Sequence, residues 1–131
     1  MKILYVDDER INLDLLEFHF EDTCEVLTCT SASEGLKILH EIRDITEVIS
    51  DMKMMGMNGL EFITEAQKTF PDKNYYILSG FDITDNVREA IKNGIVLEYF
   101  KKPCNFQAMI KTLKNNRNRI NPTINKDNSN S

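Results

Sequence analysis

The chain has 131 residues, a formal net charge of -5 and an apolar fraction of 41%, which is ordinary for a globular protein. A chain of this length fits one domain with a continuous core and is too short for two. Its acidic balance argues against direct nucleic-acid binding, because contact with a phosphate backbone needs clustered Lys and Arg. The sequence shows no membrane span or secretory signal, so we expect a cytoplasmic protein.

Three cysteines, Cys24, Cys29 and Cys104, are present. Their odd number and the absence of a CxxC pair argue against a disulfide framework and against a thiolate zinc site. We expect free thiols in a reducing cytosol, where buried cysteines behave as small apolar residues.

Strand patterns alternate with helix patterns along the chain. Short apolar runs predict strands at residues 3–6, 26–27, 48–49, 75–78 and 96–100. Apolar residues at helical spacing predict a helix after each strand. In the first helix, Ile11, Leu15 and Phe18 are expected to form the buried face.

Particular residue types mark the helix ends. Ser33 and Thr84 are predicted to cap the second and fourth helices, Pro71 to close the third and Gly94 to end the fourth. The apolar faces of helices two to five are predicted to contain Leu36, Leu39, Ile42, Leu60, Ile63, Ala66, Val87, Ala90, Ile91, Phe106, Met109, Ile110 and Leu113.

Five strand–helix units predict an α/β fold, (βα)5, with one doubly wound parallel sheet and helices on both faces. The expected strand order is 2-1-3-4-5, one of the common open arrangements. We assign residues 1–118 to this domain. Residues 119–131 are mainly Asn, Ser and Lys, and we expect a disordered tail or linker there.

Polar residues follow the predicted strands: Asp7 and Asp8 the first, Asp51 the third, Ser79 the fourth and Lys102 the fifth. Ligands bind at this edge of such sheets. If strands one and three are neighbours, these three carboxylates converge. The repulsion between two like charges about 4 Å apart is about 4 kcal/mol at an effective dielectric of about 20. Either a proton or a cation must compensate. Oxygen ligands without His or Cys suit Mg²⁺ or Mn²⁺, whereas the alternative is that these acids only cap the following helices.

Four separated segments, at residues 6–9, 49–54, 77–80 and 99–103, read Val-Asp-Asp-Glu, Ile-Ser-Asp-Met-Lys-Met, Ile-Leu-Ser-Gly and Tyr-Phe-Lys-Lys-Pro. In order and spacing they resemble the signature of the receiver domains of two-component response regulators, including the chemotaxis regulators. The resemblance covers residues 2–118, and it implies a flavodoxin-like fold.

The resemblance also implies a role for each matching residue. Asp51 would accept the phosphoryl group, Ser79 would hydrogen-bond it and Lys102 would pair with it. Tyr99 would be the switch aromatic, and the Lys102–Pro103 peptide bond would be cis. The metal ligands would be Asp7, Asp8, Asp51 and the backbone carbonyl of Lys53.

The chain departs from the family pattern at Met55, Asn58 and Cys104, none of which supplies phosphoryl chemistry. Lys53 and Phe81 lie where receivers differ in how they admit water to the acyl phosphate. We hypothesise that a bulky Phe81 slows its hydrolysis.

The implied partners are a histidine kinase or phosphotransfer protein and a downstream effector. The fourth helix, fifth strand and fifth helix would form the output face, which is also a candidate surface for homodimerisation. The chain would then be a switch and not an enzyme, apart from its own phosphorylation and slow dephosphorylation.

Three alternatives remain open on sequence alone. A phosphatase of the haloacid-dehalogenase type also uses an Asp nucleophile and Mg²⁺, but it needs an acid two residues later, where Lys53 stands. A flavodoxin-like cofactor binder would need a phosphate-binding loop after the first strand, and none is seen there. A degenerate receiver that only docks partners would not need the complete set of site residues.

Overall fold

The computed structural model describes residues 1–120 and the side chains of residues 1–117. All neighbouring strands pair in parallel, in the order β2-β1-β3-β4-β5, which confirms the predicted fold. The elements are β1 (Lys2–Val6), α1 (Arg10–Phe20), β2 (Glu25–Cys29), α2 (Ala32–Glu41), β3 (Glu47–Ser50), α3 (Gly59–Thr69), β4 (Asn74–Ser79), α4 (Asp85–Lys92), β5 (Glu98–Lys101) and α5 (Phe106–Ile120).

Successive residues of a strand point to opposite faces of the sheet. Both faces of this sheet are covered by helices, so both sets of side chains are buried. In β1, Leu4 and Val6 pack in one core cluster with side chains of α2, α3 and α4. Ile3 and Tyr5 pack in the other, with side chains of α1 and α5. The central strands therefore need apolar residues at nearly every position, and they read as continuous apolar runs.

The predicted buried face of α1 is wrong. Leu13, Leu16 and Phe20 are the buried residues of this helix, whereas Ile11, Leu15 and Phe18 are 66%, 45% and 68% exposed. Both sets have helical spacing, so α1 carries two apolar stripes. The packing of α1 beside β2 and α5 determines which stripe is buried, and the other forms an apolar stripe on the surface.

Ser31, not Ser33, caps α2: its hydroxyl accepts a hydrogen bond from the amide of Glu34. Ser33 lies inside the first turn of the helix, where its own side chain cannot serve as the cap. The predicted cap of α4 at Thr84 is confirmed by a hydrogen bond from the amide of Val87. Gly94 ends that region with a φ of 79°, a conformation that favours glycine.

The predicted and observed boundaries of some elements differ by a few residues. β2 is longer than the two residues predicted, and β5 begins at Glu98, after the buried Val96. α5 continues to Ile120, and the remainder of the predicted tail, residues 121–131, lies outside the described part of the chain. Across residues 1–120, none of the helices has the length and apolarity needed to span a membrane.

Candidate functional site

The backbone places the predicted acids side by side. β1 and β3 are neighbours, with Val6 opposite Ser50, so Asp7 and Asp51 follow two adjacent strand ends. The amide of Asp51 donates to the carbonyl of Val6 across 2.9 Å. The site therefore lies at the carboxyl edge of the sheet, where open α/β folds bind their ligands.

Three carboxylates converge at this edge. One oxygen from each of Asp7, Asp8 and Asp51 lies within 4.8 Å of the others. Asp7 and Asp51 are buried and Asp8 is exposed. This arrangement leaves the site open to ions on the side of Asp8 and shielded from water at the other two carboxylates.

Lys102 brings a positive charge to the two buried acids. Its ammonium nitrogen lies 2.9 Å from Oδ2 of Asp7 and 3.6 Å from Oδ1 of Asp51. The backbone supports this position, because the amide of Lys102 donates to the carbonyl of Ser79 across 2.8 Å. The Lys102–Pro103 peptide bond is cis, as the resemblance implies.

Burial dominates the electrostatics of Asp51. Burial, and then the negative charge of Asp7, raise its pKa to about 6, while Lys102 and the amide of Met52 oppose the rise. At neutral pH the carboxylate is thus largely ionised. Within the described residues, Lys102 is the ammonium group in ion-pair contact with this cluster, so two negative charges remain uncompensated.

This donor set fits a hard divalent cation. The converging atoms are carboxylate oxygens, and within the described residues no His or Cys joins the cluster. Hard oxygen ligands select Mg²⁺ or Mn²⁺, which keep waters in their remaining positions. The uncompensated charge and the ligand chemistry therefore agree.

The turn after β3 is held tightly against Asp51. A Cβ atom at Gly59 would lie 2.2 Å from the backbone oxygen of Asp51, so only glycine fits there. Asn58 forms a capping box with Glu61, each side chain accepting from the other's backbone amide. Met55 donates its amide to Oδ2 of Asp8 across 3.3 Å. The departures at Met55 and Asn58 are therefore compatible with a well-formed turn.

The predicted hydroxyl and switch residues surround the β4–α4 loop. Ser79 is buried, and its hydroxyl accepts from the amide of Phe81 across 3.2 Å. Tyr99 is half-buried, and its hydroxyl donates to the carbonyl of Phe81. The ammonium of Lys53 lies 5.1 Å from the centre of the Phe81 ring. The loop is thus connected to the β3 side through Lys53 and to β5 through Tyr99.

Sequence reasoning missed two residues of this site, Gly59 and Tyr5. The hydroxyl of Tyr5 donates to Oδ2 of Asp7 across 2.7 Å, and both residues are fully buried. Residues two apart on a strand share a face, so a Tyr two positions before a strand-end acid is the signal that could have indicated this contact.

The fold and the site together define a class: a doubly wound α/β domain with an aspartate–lysine cluster at the carboxyl edge of its sheet. Residues 3–114 match the response regulator receiver domain family. The chain belongs to this family, whose members are signalling switches, and the resemblance inferred from the four segments is confirmed.

Solved structures and curated relatives agree with this assignment. A receiver domain from Clostridium thermocellum is 36% identical, with a TM-score of 0.76 and coverage of 99% of this chain and 98% of that one. The response regulator TrrA from Thermotoga maritima, solved in complex with Mg(2+)-BeF, is 29% identical, with a TM-score of 0.75 and coverage of 87% and 96%.

The transcriptional regulatory protein YesN of Bacillus subtilis is 38% identical over 118 residues, which are 86% of this chain and 31% of that protein. The transcriptional regulatory protein GlrR of Escherichia coli is 30% identical over 85% of this chain and 25% of its own length. The chain thus spans about a quarter to a third of these two curated relatives.

Proposed function

We propose that Asp51 accepts a phosphoryl group from a histidine kinase or phosphotransfer protein, in a reaction that depends on a divalent cation. The observation that carries this proposal is the convergence of the carboxylates of Asp7, Asp8 and Asp51. Within the described residues, the Lys102 ammonium is the cation in contact with them, and it reaches Asp7 and Asp51. This cluster has more negative charge than the Lys102 ammonium compensates. It is therefore suited to bind a divalent cation, together with the anionic phosphoryl group that the cation carries.

Mg²⁺ is the proposed cation, with Mn²⁺ as a substitute. Asp7, Asp8, Asp51 and the backbone carbonyl of Lys53 would hold it. When bound, the ion offsets charge on the oxygens of the phosphoryl group.

Asp51 is the proposed nucleophile. Its Oδ1 accepts from the amide of Met52 across 2.9 Å and faces Lys102, whereas Oδ2 has no donor among the described residues. We assign the attack to Oδ2. A bond forms between this oxygen and phosphorus, the bond from phosphorus to the donor atom breaks, and its electron pair leaves with the donor. The product is an acyl phosphate.

The neighbouring groups have separate tasks in this scheme. The Lys102 ammonium exchanges its contact with Asp7 for a contact with the new anion. The Ser79 hydroxyl, which now accepts from the Phe81 amide, turns to donate to a phosphoryl oxygen. Because Tyr99 is bonded to the carbonyl of Phe81, a shift of this loop reaches β5 directly. The face formed by α4, β5 and α5 would transmit the change to a downstream effector, or to a second copy of the chain.

The first test uses the wild-type protein. Incubation with a small phosphodonor and Mg²⁺ should add the mass of one phosphoryl group, and a chelator added beforehand should prevent the gain. Intact-protein mass spectrometry measures both results. Labelling that persists in the chelator, or steady turnover of small phosphoesters as a phosphatase would show, contradicts the proposal.

The second test concerns the lifetime of the phosphorylated form. Phe81→Ala should shorten this lifetime several-fold, because the ring and the Lys53 chain above it would no longer restrict the approach of water. The decay of the phosphorylated mass after removal of the donor measures it. Phe18→Ala is the matched control: Phe18 is 68% exposed and Phe81 is 56% exposed, but Phe18 lies on α1. Equal lifetimes for wild type and Phe81→Ala would remove the role of the ring.

A further inference from the structure

Tyr5 is a buried tyrosine whose hydroxyl points into the acidic cluster. Its side chain belongs to the core between the sheet and the helices α1 and α5. The hydroxyl lies 2.7 Å from Oδ2 of Asp7, and both residues are fully buried. A hydrogen bond to an ionised carboxylate is stronger than one between neutral groups, and burial strengthens it further.

The contacts of Asp7 account for most of its acceptor capacity. Oδ2 accepts from the Tyr5 hydroxyl and from the Lys102 ammonium, and Oδ1 accepts from the amide of Glu9 across 2.9 Å. A carboxylate offers about four acceptor positions, so one remains, on Oδ1. The plane of the Asp7 carboxylate is therefore fixed from both sides, and its spare position is on the oxygen that Tyr5 does not contact.

We infer that Tyr5 is a positioning residue for the divalent cation: its hydroxyl holds Oδ2 of Asp7, so that Oδ1 is presented to the ion or to one of the waters bound to it. This inference rests on the proposed cation-dependent phosphorylation. Groups that hydrogen-bond a metal ligand orient it, and their loss typically lowers metal affinity by about 10- to 100-fold.

Lys102 cannot perform this task throughout the reaction. Its ammonium is shared between Asp7 and Asp51, and in the proposed mechanism it moves to the phosphoryl group. Tyr5 cannot follow, because its ring is fully buried and packed in the core near the carboxyl end of β1. Tyr5 is thus the side-chain donor that stays on Asp7 when Lys102 leaves.

Tyr5→Phe removes the hydroxyl and keeps the ring. Binding of Mg²⁺ is measured by isothermal titration, and binding of Mn²⁺ by the loss of the free-ion signal in electron paramagnetic resonance. The dissociation constants should rise about tenfold. The rate of phosphorylation by a small phosphodonor should fall at low Mg²⁺ and approach the wild-type rate at saturating Mg²⁺.

Tyr76→Phe is the matched control. Tyr76 is also fully buried, in the same core cluster, and its hydroxyl donates to the buried carboxylate of Glu47 across 3.2 Å. Glu47 opens β3, however, so this pair lies at the opposite edge of the sheet. The control should retain the wild-type affinity for Mg²⁺, since it loses an equivalent hydrogen bond without touching a metal ligand.

A second measurement uses the wild-type protein and does not depend on the folding of a variant. With ¹³C-labelled tyrosine, the Cζ resonance of Tyr5 should shift when Mg²⁺ is added, while that of Tyr76 should not. The inference is overturned if the Tyr5 resonance does not move, or if Tyr5→Phe binds Mg²⁺ as tightly as the wild type. If the wild type itself binds no divalent cation, the proposed function fails and this inference fails with it.

Discussion

Asp51→Asn should abolish phosphorylation and, at the same time, stabilise the metal-free protein above pH 7 by up to about 3 kcal/mol, at about 1.4 kcal/mol per pKa unit. The loss of labelling follows because the amide is not a nucleophile for the phosphoryl group. The gain in stability follows because folding places the Asp51 carboxylate in a buried site beside Asp7. A neutral amide of the same shape avoids that cost.

The sign of the pH dependence follows from the direction of the shift. Folding raises the pKa of Asp51 from 3.8 to about 6, so the folded state binds this proton more tightly than the unfolded state. Between these values the stability of the wild type falls as pH rises, and the full cost is present above the folded pKa. The advantage of Asp51→Asn should therefore be largest above pH 7 and disappear near pH 4.

Urea unfolding at several pH values, in the presence of a chelator, measures this difference. Asp44→Asn is the control, because Asp44 is an exposed carboxylate whose pKa is lowered by its hydrogen bond with Lys2. That substitution should bring no gain in stability at any pH. Added Mg²⁺ should stabilise the wild type much more than Asp51→Asn, since it compensates the same charges. A variant less stable than wild type above pH 7 would show that Asp51 is not electrostatically strained.

The strands and the site were predictable because their signals are local and strong. A strand buried on both faces needs a continuous apolar run, and Val6 and Ser50 each precede a carboxylate at the point where that run stops. The rule that ligands lie at the carboxyl edge then selects the residues that follow the strands. The structure brings Asp7, Asp8, Asp51 and Lys102 together there, as that rule requires.

The face of α1 could not be predicted because the helix carries two apolar stripes. Leu16 is buried and Leu15, its neighbour, is 45% exposed, although both belong to a stripe with helical spacing. Periodicity reports that a helix is amphipathic, and it does not choose between equivalent stripes. That choice depends on neighbours distant in sequence. The predicted cap of α2 was wrong for a related reason. Ser31 and Ser33 are both good capping residues, and the path of the chain after β2 decides between them.

Tyr5 and Gly59 show a different limit. A tyrosine in a buried strand reads as core, and the acceptor of its hydroxyl becomes apparent only when the side chains of β1 are placed. Gly59 reads as the start of a helix, whereas its importance lies in the approach of the Asp51 carbonyl. Motifs list the groups that perform the chemistry, and the residues that hold them in place are found through contacts.

Lys102→Gln should slow phosphorylation by a small phosphodonor about 100-fold at saturating Mg²⁺, the typical cost of removing one group that stabilises charge in a transition state. Lys102 is the ammonium in contact with both buried acids, at 2.9 Å and 3.6 Å. Glutamine retains hydrogen-bonding capacity and loses the charge, so the reduction in phosphorylation rate measures the electrostatic contribution of Lys102. Lys102 also opposes the rise in the pKa of Asp51, so its loss should raise that pKa further and move the pH dependence of phosphorylation upwards.

Lys101→Gln provides the control for this variant, because Lys101 is the adjacent residue, is exposed, and pairs with Asp82 outside the acidic cluster. Its phosphorylation rate should stay close to that of the wild type. Rates are compared by intact-protein mass spectrometry at equal donor concentration, over a range of pH. If both variants slow to the same extent, the effect comes from the overall charge of the surface. If neither slows, the Mg²⁺ ion alone offsets the developing charge, and Lys102 acts only after the phosphoryl group has been transferred.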